Sequence, residues 1–279
     1  MHTVIFLSFP AEKEIQKQYV NCLIEEIRQF DLAEDYVVST IFFGGGTPSV
    51  LEGSEIMRIM QAIRERFPDI REDAEITIEC NPGTLTEEKL QIYQKAGINR
   101  LSLGLQSADQ EELKLLGRIH TYNQFKENFY LARRIGFANI NVDLMSALPG
   151  QSVESYRCTL KKVCELGPEH ISAYSLIIED GTPFAKRYRQ DAAKKRSRRK
   201  NHSFCLRRMR NVRCTRIRQR FFPNMDIIVM RYRIMQKQGM YADTTSDTGN
   251  EWTTSVLDLE HPHCRIRSVI KIPMICRNT

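Results

Sequence analysis

Apolar residues recur along the first two-thirds of the chain in two alternating rhythms. Between Glu12 and Phe30, the residues Ile15, Tyr19, Cys22, Leu23, Ile27 and Phe30 mark one face of a helix. The next apolar run, Val37 to Phe43, is short, β-branched and aromatic, which predicts a buried strand. The alternation then repeats. A helix is expected over Ser54 to Phe67 with Ser54 as N-cap, a strand over Ala74 to Glu79, and a helix over Thr86 to Lys95 capped by Thr86 and ended by Gly97. A strand over Arg100 to Leu105 leads to helices near Asp109–Leu116 and Asn123–Ile135, the second ended by Gly136. A strand over Asn139 to Met145, a helix over Val153 to Leu166 and a strand over His170 to Ile177 complete the series. Strands separated by helices pair in parallel. No GxGxxG follows the first strand, so a dinucleotide-binding sheet has no support, and the pattern predicts an α/β barrel or partial barrel.

Barrels of this kind carry their chemistry at the carboxyl ends of the strands. The first strand runs into Gly44-Gly45-Gly46-Thr47-Pro48. Three glycines form either a tight strand-to-helix turn or a bare backbone that lets a ligand approach, with N–H groups facing a carboxylate or phosphate. The following strand ends carry Glu79, Gln106 and Asp143. Any one of these reads equally as a turn former or a satisfied core group. Four successive strand ends bearing ligand-type groups point to a site.

An ordered set of motifs sharpens this reading. Phe42-Phe43-Gly44-Gly45-Gly46-Thr47-Pro48 is followed by Glu79-Cys80-Asn81-Pro82-Gly83-Thr84, Arg100-Leu101-Ser102-Leu103-Gly104-Leu105-Gln106-Ser107 and Leu116-Gly117-Arg118-Ile119-His120. Then come Asn141-Val142-Asp143-Leu144-Met145, Leu148-Pro149-Gly150-Gln151 and His170-Ile171-Ser172-Ala173-Tyr174-Ser175-Leu176. From about Phe6 to Arg189 the chain resembles the radical S-adenosylmethionine family of oxygen-independent coproporphyrinogen III oxidases and, within it, the shorter heme chaperones. The resemblance implies a partial (β/α)6 barrel. It also implies that Gly45, Gly46 and Thr47 hold the amino and carboxylate end of S-adenosylmethionine, and that Glu79, Gln106, Arg118 and Asp143 contact the same cofactor. The chemistry agrees: an ammonium wants carboxylates and carbonyls, a carboxylate wants N–H groups and Arg, and ribose hydroxyls want a carboxylate or amide. Heme or a porphyrinogen is the implied partner. The choice between heme chaperone and porphyrinogen oxidation stays open.

The family also uses a 4Fe-4S cluster held by three cysteines in CxxxCxxC, whose unliganded iron binds the cofactor. This sequence contains no CxxxCxxC, and Cys22, Cys80, Cys158, Cys164, Cys205, Cys214, Cys264 and Cys276 supply no such triad. In the family, the segment matching Phe6 to Pro10 follows the third cysteine. The expectation is therefore a barrel lacking its first strand and, as written, no catalytic residue, no metal ligand and no radical chemistry.

Charge divides the chain near residue 190. Residues 1–189 hold 21 Lys+Arg against 27 Asp+Glu, and 190–279 hold 20 against 7. The basic part is a candidate nucleic-acid tail by charge, but it carries no recognisable motif or aromatic platform, and that reading is disfavoured. Its periodicity fails, as in a solvated, irregular tail. A third reading joins each codon's last base to the next codon's first two. Met225-Asp226 then forces Gly, Met235-Gln236 forces Ala and Trp252-Thr253 forces Asp. With wobble bases chosen to fit, the interval permits Gly-Tyr-His-Arg-Tyr-Glu-Ile-Ser-Asn-Tyr-Ala-Lys, a string the family carries at this distance. Residues 1–189 thus read as the partial barrel and 190–279 as a basic segment translated out of frame. No apolar run is long enough to span a bilayer and no secretory leader is visible. The 8 cysteines lack the spacing of a disulfide scaffold, so a reducing cytoplasm is expected.

Overall fold

The structure, a computed structural model, describes residues 12–31, 33, 36–176, 184, 186–188, 227–229, 253–258 and 269–276. The elements are α1 (Lys13–Gln29), β1 (Tyr36–Phe43), α2 (Gly53–Arg66), β2 (Ile70–Cys80), α3 (Glu87–Lys95), β3 (Arg100–Gln106), α4 (Gln110–Leu115) and α5 (Tyr122–Ile135). They continue with β4 (Asn139–Ser146), α6 (Val153–Cys164), β5 (His170–Ser175), β6 (Ile227–Val229), β7 (Thr253–Asp258) and β8 (Val269–Cys276). Strands β1 to β5 pair in parallel in chain order, with helices between them. This is the expected partial (β/α) barrel.

The helices obey their sequence signals with two corrections. Helix α1 buries Tyr19, Val20, Leu23, Ile24 and Ile27, while Ile15 stays exposed. Its inward face is therefore rotated toward Val20 and Ile24. Ser54 does not cap α2, which begins at Gly53 behind Glu52 without a side-chain cap. Glu52 instead meets Lys13 Nζ at 2.9 Å, which ties the start of α2 to α1. Thr86 caps α3 by accepting the N–H of Lys89 at 3.2 Å. Helix α5 opens on a full capping box of Thr121 and Gln124 and closes on Gly136 at φ 110°, a left-handed C-cap that favours glycine.

Side chains alternate across the sheet. On the helix side, Ile76, Ile78, Leu101, Leu103, Leu105, Ile140, Val142, Leu144, Ile171 and Ala173 enter one core with Ile56, Ile63, Phe125 and Phe129. The other face is polar: Thr77 on β2, Ser102 on β3, Asn141 and Asp143 on β4, and Ser172 on β5. A closed (β/α)8 barrel fills its interior with layers of branched apolar side chains. Here the inner face carries hydrogen-bonding groups, so it is built to hold polar matter or be held by it.

Strand β2 begins four residues before the expected Ala74, because Ile70 pairs with Val38 across a register shift in β1. Backbone pairing needs no apolar alternation, which is why Arg71, Glu72 and Asp73 give no strand signal. The basic segment, expected to hold no regular element, contributes three short strands: β6 beside β5 in parallel, and β8 antiparallel to β1 with β7 outside it. Runs such as Ile227-Ile228-Val229 and Val269-Ile270-Lys271-Ile272 have the β propensity to pair with an exposed sheet edge. Strand β8 thereby occupies the edge of β1 that was expected to stand open. Phe6 to Pro10, Ile177 and the rest of the segment read as out of frame lie outside the described residues. No helix among the described residues is long and apolar enough to cross a membrane.

Candidate functional site

The cluster begins with the loop after β1. Gly44 is buried, and a Cβ there would run into the ring of Phe42 and lie 3.4 Å from the carboxyl carbon of Glu79. Any larger residue here would have to push the Phe42 ring aside, whereas Glu79 lies at ordinary contact distance. Gly45 takes φ 104°, a conformation that disfavours any side chain. Gly45, Gly46 and Thr47 are half-buried and lead into a single turn over Pro48–Val50. Ser49 of that turn is fully buried; its hydroxyl oxygen accepts the N–H of Asn81 at 3.0 Å, and its carbonyl accepts from Lys89 Nζ at 3.0 Å. The loop after β1 is thus pinned to the loop after β2.

Two amide side chains connect the strand ends. Asn81 Oδ1 accepts from Arg118 Nη1 at 3.0 Å, and its Nδ2 donates to Thr47 Oγ1 at 3.3 Å. Gln106 is 3% exposed and its Oε1 accepts from the Tyr174 hydroxyl at 2.7 Å. Gln106 also adopts φ 72°, beside a register shift between Leu103 and Gln106 where β3 meets β4. A non-glycine residue in this region persists only where its surroundings over-determine it, which happens most often at functional sites. Ala147, just past β4, has φ 59° in the same way. A Cβ on Gly104 would sit 3.2 Å from Gln106 Nε2 and 3.3 Å from Asn81 Oδ1, so this glycine makes room for both amides.

Asp143 is the acidic side of the cluster. Its Oδ1 accepts from Asn141 Nδ2 at 2.8 Å and its Oδ2 from Ser102 Oγ at 3.1 Å, while Ser172 Oγ donates to Asn141 Oδ1 at 3.0 Å. Burial raises the pKa of Asp143, opposed by hydrogen bonds from Asn141, Ser102 and Ser172 and by the charge of Arg100. A carboxylate whose charge is disfavoured by burial is well matched to a cation that would neutralise it. Burial lowers the pKa of Arg118, opposed by Tyr174 and Asp143. Burial also raises that of the Tyr174 phenol, with Asp143 adding to the rise and Arg118 and Gln106 opposing it. Arg118, Asp143, Glu79 and the neutral Tyr174 phenol therefore lie within electrostatic reach of one another.

Of the residues expected from sequence, Thr47, Gln106, Arg118 and Asp143 belong to this linked cluster, and Glu79 packs beside Gly44. Sequence reading did not single out Asn81, Tyr174, Ser102, Asn141 or Ser172. For Ser102, Asn141, Ser172 and Tyr174 the signal was an alternation of polar residues within strands whose other face is apolar, and for Asn81 its place directly after Glu79 and Cys80 at the end of β2. The motif Leu116-Gly117-Arg118-Ile119-His120 divides sharply. Leu116 and His120 are buried, His120 Nε2 lies 3.3 Å from the Leu105 carbonyl oxygen, and Ile119 is 97% exposed. A recess of about 420 Å³, lined by Arg64, Arg71 and Asn99 among others, lies at the opposite end of β2 and shares no residue with the cluster.

The residues present supply the group types that an amino-acid-like cofactor needs: Arg118 and hydroxyl donors, and the carboxylates of Glu79 and Asp143. They do not fit an iron–sulfur cluster. Among the described residues no three His, Cys, Asp or Glu side chains group as a metal site. Cys80 is buried, its thiol donates to the Ile78 carbonyl at 3.7 Å, and burial and Glu79 push its pKa well above the thiol range. Such a thiol resists becoming the thiolate that iron binds.

Residues 11–163 match the family described as the Radical SAM superfamily. The heme chaperone HemW of Escherichia coli (strain K12) is 43% identical over 170 residues, covering 61% of this chain and 45% of that protein. The heme chaperone HemW of Lactococcus lactis subsp. lactis (strain IL1403) is 40% identical over 172 residues, covering 62% of this chain and 44% of that protein. The solved structure of coproporphyrinogen III oxidase (HemN) from Escherichia coli, described as a radical SAM enzyme, superposes with a TM-score of 0.57 and 29% identity, over 71% of this chain and 49% of that one. The chain spans about half the length of these relatives. Radical SAM proteins use S-adenosylmethionine together with a 4Fe-4S cluster. Because the match runs from α1 through α6, across the β1–β4 strand ends that carry the glycine loop, Glu79, Gln106 and Asp143, the chain belongs to the radical SAM superfamily.

Proposed function

We propose that this chain binds S-adenosylmethionine at the ends of β1 to β5 and derives from a cytoplasmic HemW-type heme chaperone, with heme as the transported partner. The observation that carries the cofactor reading is the link from Thr47 through Asn81 to Arg118, facing Asp143. It sets hydrogen-bond donors against carboxylates within one cluster, the complement of an α-amino acid. Gly45, Gly46, Thr47 and Arg118 hold the amino-acid end, with Glu79 and Asp143 as its anionic partners and Gln106 turned to a polar group such as a ribose hydroxyl. In the family, S-adenosylmethionine and the cluster together supply one-electron chemistry; the described residues of this chain fit the first and not the second. The described residues bind, orient and exclude water.

Porphyrinogen oxidation is the second reading, favoured by the structural likeness to HemN. Its identity is 29%, against 43% for HemW, so heme handling has the better support. Equilibrium dialysis of the full chain with labelled S-adenosylmethionine tests the cofactor site: saturable binding at one site per chain is expected, and none at millimolar ligand overturns it. A Soret shift on titration with heme, without turnover of coproporphyrinogen, separates the two partner readings.

The same proposal takes 1–189 as the cofactor-binding unit and 190–279 as a segment translated out of the family's frame. Resequencing the gene across the codons for Arg187 to Asp191 is expected to reveal a gain or loss of one or two bases against intact relatives. A single intact frame encoding Lys194 to Lys200 as written, recurring in related loci, overturns it.

A further inference from the structure

We propose that Asn81 is a positioning residue that aims the donors of Thr47 and Arg118 at the carboxylate of the bound ligand, and so sets the preference of the site for S-adenosylmethionine over the same molecule without its carboxylate. The inference rests on the cofactor reading above.

Asn81 has a fixed backbone. Its N–H donates to Ser49 Oγ at 3.0 Å, and its carbonyl oxygen accepts from the N–H of Thr84 at 3.1 Å and from Thr84 Oγ1 at 2.7 Å. The side chain then spans two segments remote in sequence, the glycine loop and the turn after α4. A primary amide has an accepting end and a donating end, whereas a guanidinium only donates. Arg118 therefore decides which way the amide lies, with Oδ1 toward Arg118 and Nδ2 toward Thr47. Turning the amide over would set an NH2 against a guanidinium.

The consequence falls on Thr47. Its oxygen accepts from Asn81, and its hydroxyl makes no capping bond to the turn that follows. Its own proton is left to point elsewhere. The guanidinium of Arg118, tethered at Nη1, keeps further N–H groups in a fixed plane. Asn81 thus turns one hydroxyl and one guanidinium into donors of settled direction. A carboxylate, which only accepts, is the group that profits. The absence of a Cβ at Gly104, where one would lie 3.3 Å from Asn81 Oδ1, leaves the room this arrangement needs.

The test titrates the full chain and its variants with S-adenosylmethionine and with decarboxylated S-adenosylmethionine, in parallel. The unaltered chain is expected to prefer the carboxylate form. Asn81→Ala should weaken S-adenosylmethionine about tenfold, as for one or two hydrogen bonds serving a charged group, and leave the decarboxylated analogue unchanged. Asn81→Asp is the control against misfolding: it still accepts from Arg118, but it has no N–H for Thr47 and draws the Thr47 proton to itself. It should lose the preference as well. If both affinities fall by the same factor, or the ratio survives in both variants, Asn81 is only a structural residue and the proposal fails. An unaltered chain that binds both ligands equally overturns the positioning role alone. One that binds neither overturns the cofactor reading beneath it.

Discussion

Arg118→Ala weakens binding of S-adenosylmethionine by about a hundredfold, the expected result of removing the cation proposed to face the ligand's carboxylate. The guanidinium is half-buried, and desolvation lowers its pKa, an effect that the nearby Asp143 carboxylate opposes. A charge kept in such surroundings costs desolvation energy in the free protein, which an incoming anion offsets. Its removal also strips Asn81 Oδ1 of its donor at 3.0 Å, so the amide that orients Thr47 is released. Arg118→Lys keeps the charge without the planar fork and should fall between the two, about tenfold below the unaltered chain. Isothermal titration with S-adenosylmethionine measures both variants. An unchanged affinity in Arg118→Ala would mean that the carboxylate is read elsewhere.

Glu112→Ala should destabilise the fold by about 3–5 kcal/mol, because it strands several buried donors at once. Glu112 is 8% exposed, and its carboxylate accepts from Ser107 Oγ at 2.6 Å, Gln151 Nε2 at 2.9 Å and Ser155 Oγ at 2.6 Å. Ser107 lies just past β3, Glu112 on α4, Gln151 in the loop after β4 and Ser155 on α6. One acidic side chain therefore ties together the loops that deliver Gln106 and Asp143. Thr159 reinforces the tie by accepting the N–H of Ala108 at 3.2 Å. Glu112→Gln keeps the shape but places an NH2 against these donors, and should cost about 1–3 kcal/mol. Urea unfolding of the full chain followed by circular dichroism gives both values. A loss below about 1 kcal/mol for Glu112→Ala would show that water satisfies the stranded donors.

The two effects live on different links of one chain of causes. Arg118 acts on the ligand, whereas Glu112 acts on the frame that carries the ligand's partners. The glycine loop belongs to both. It is a tight turn in this fold, and its service as a bare approach for a ligand is part of the proposed cofactor site. A side chain at Gly44 would have to displace the Phe42 ring, which is a packing reason, while Gly45 at φ 104° is a backbone reason.

What the sequence alone determined is the order of elements and the strand ends where chemistry gathers. Periodicity is a local property, so 3.6-residue and two-residue rhythms announce α1 to α6 and β1 to β5 without knowledge of their neighbours. The ordered motifs placed Thr47, Glu79, Gln106 and Asp143 toward those ends, because parallel strands must all finish on the same side, and Arg118 in the turn after α4. The tertiary structure decided what a local reading cannot contain. It turned the amides of Asn81 and Gln106 by setting Arg118 and Tyr174 beside them, residues 37 and 68 positions away in the chain. It made Glu112 a buried acceptor for residues up to 43 positions distant, where the sequence shows only one more acid on a polar helix. It gave Ile70 to Asp73 a strand through pairing with β1 and set β8 on the other edge of β1. In each case the deciding term is a directional hydrogen bond between groups remote in sequence, and only the folded arrangement of the strands brings such groups within reach.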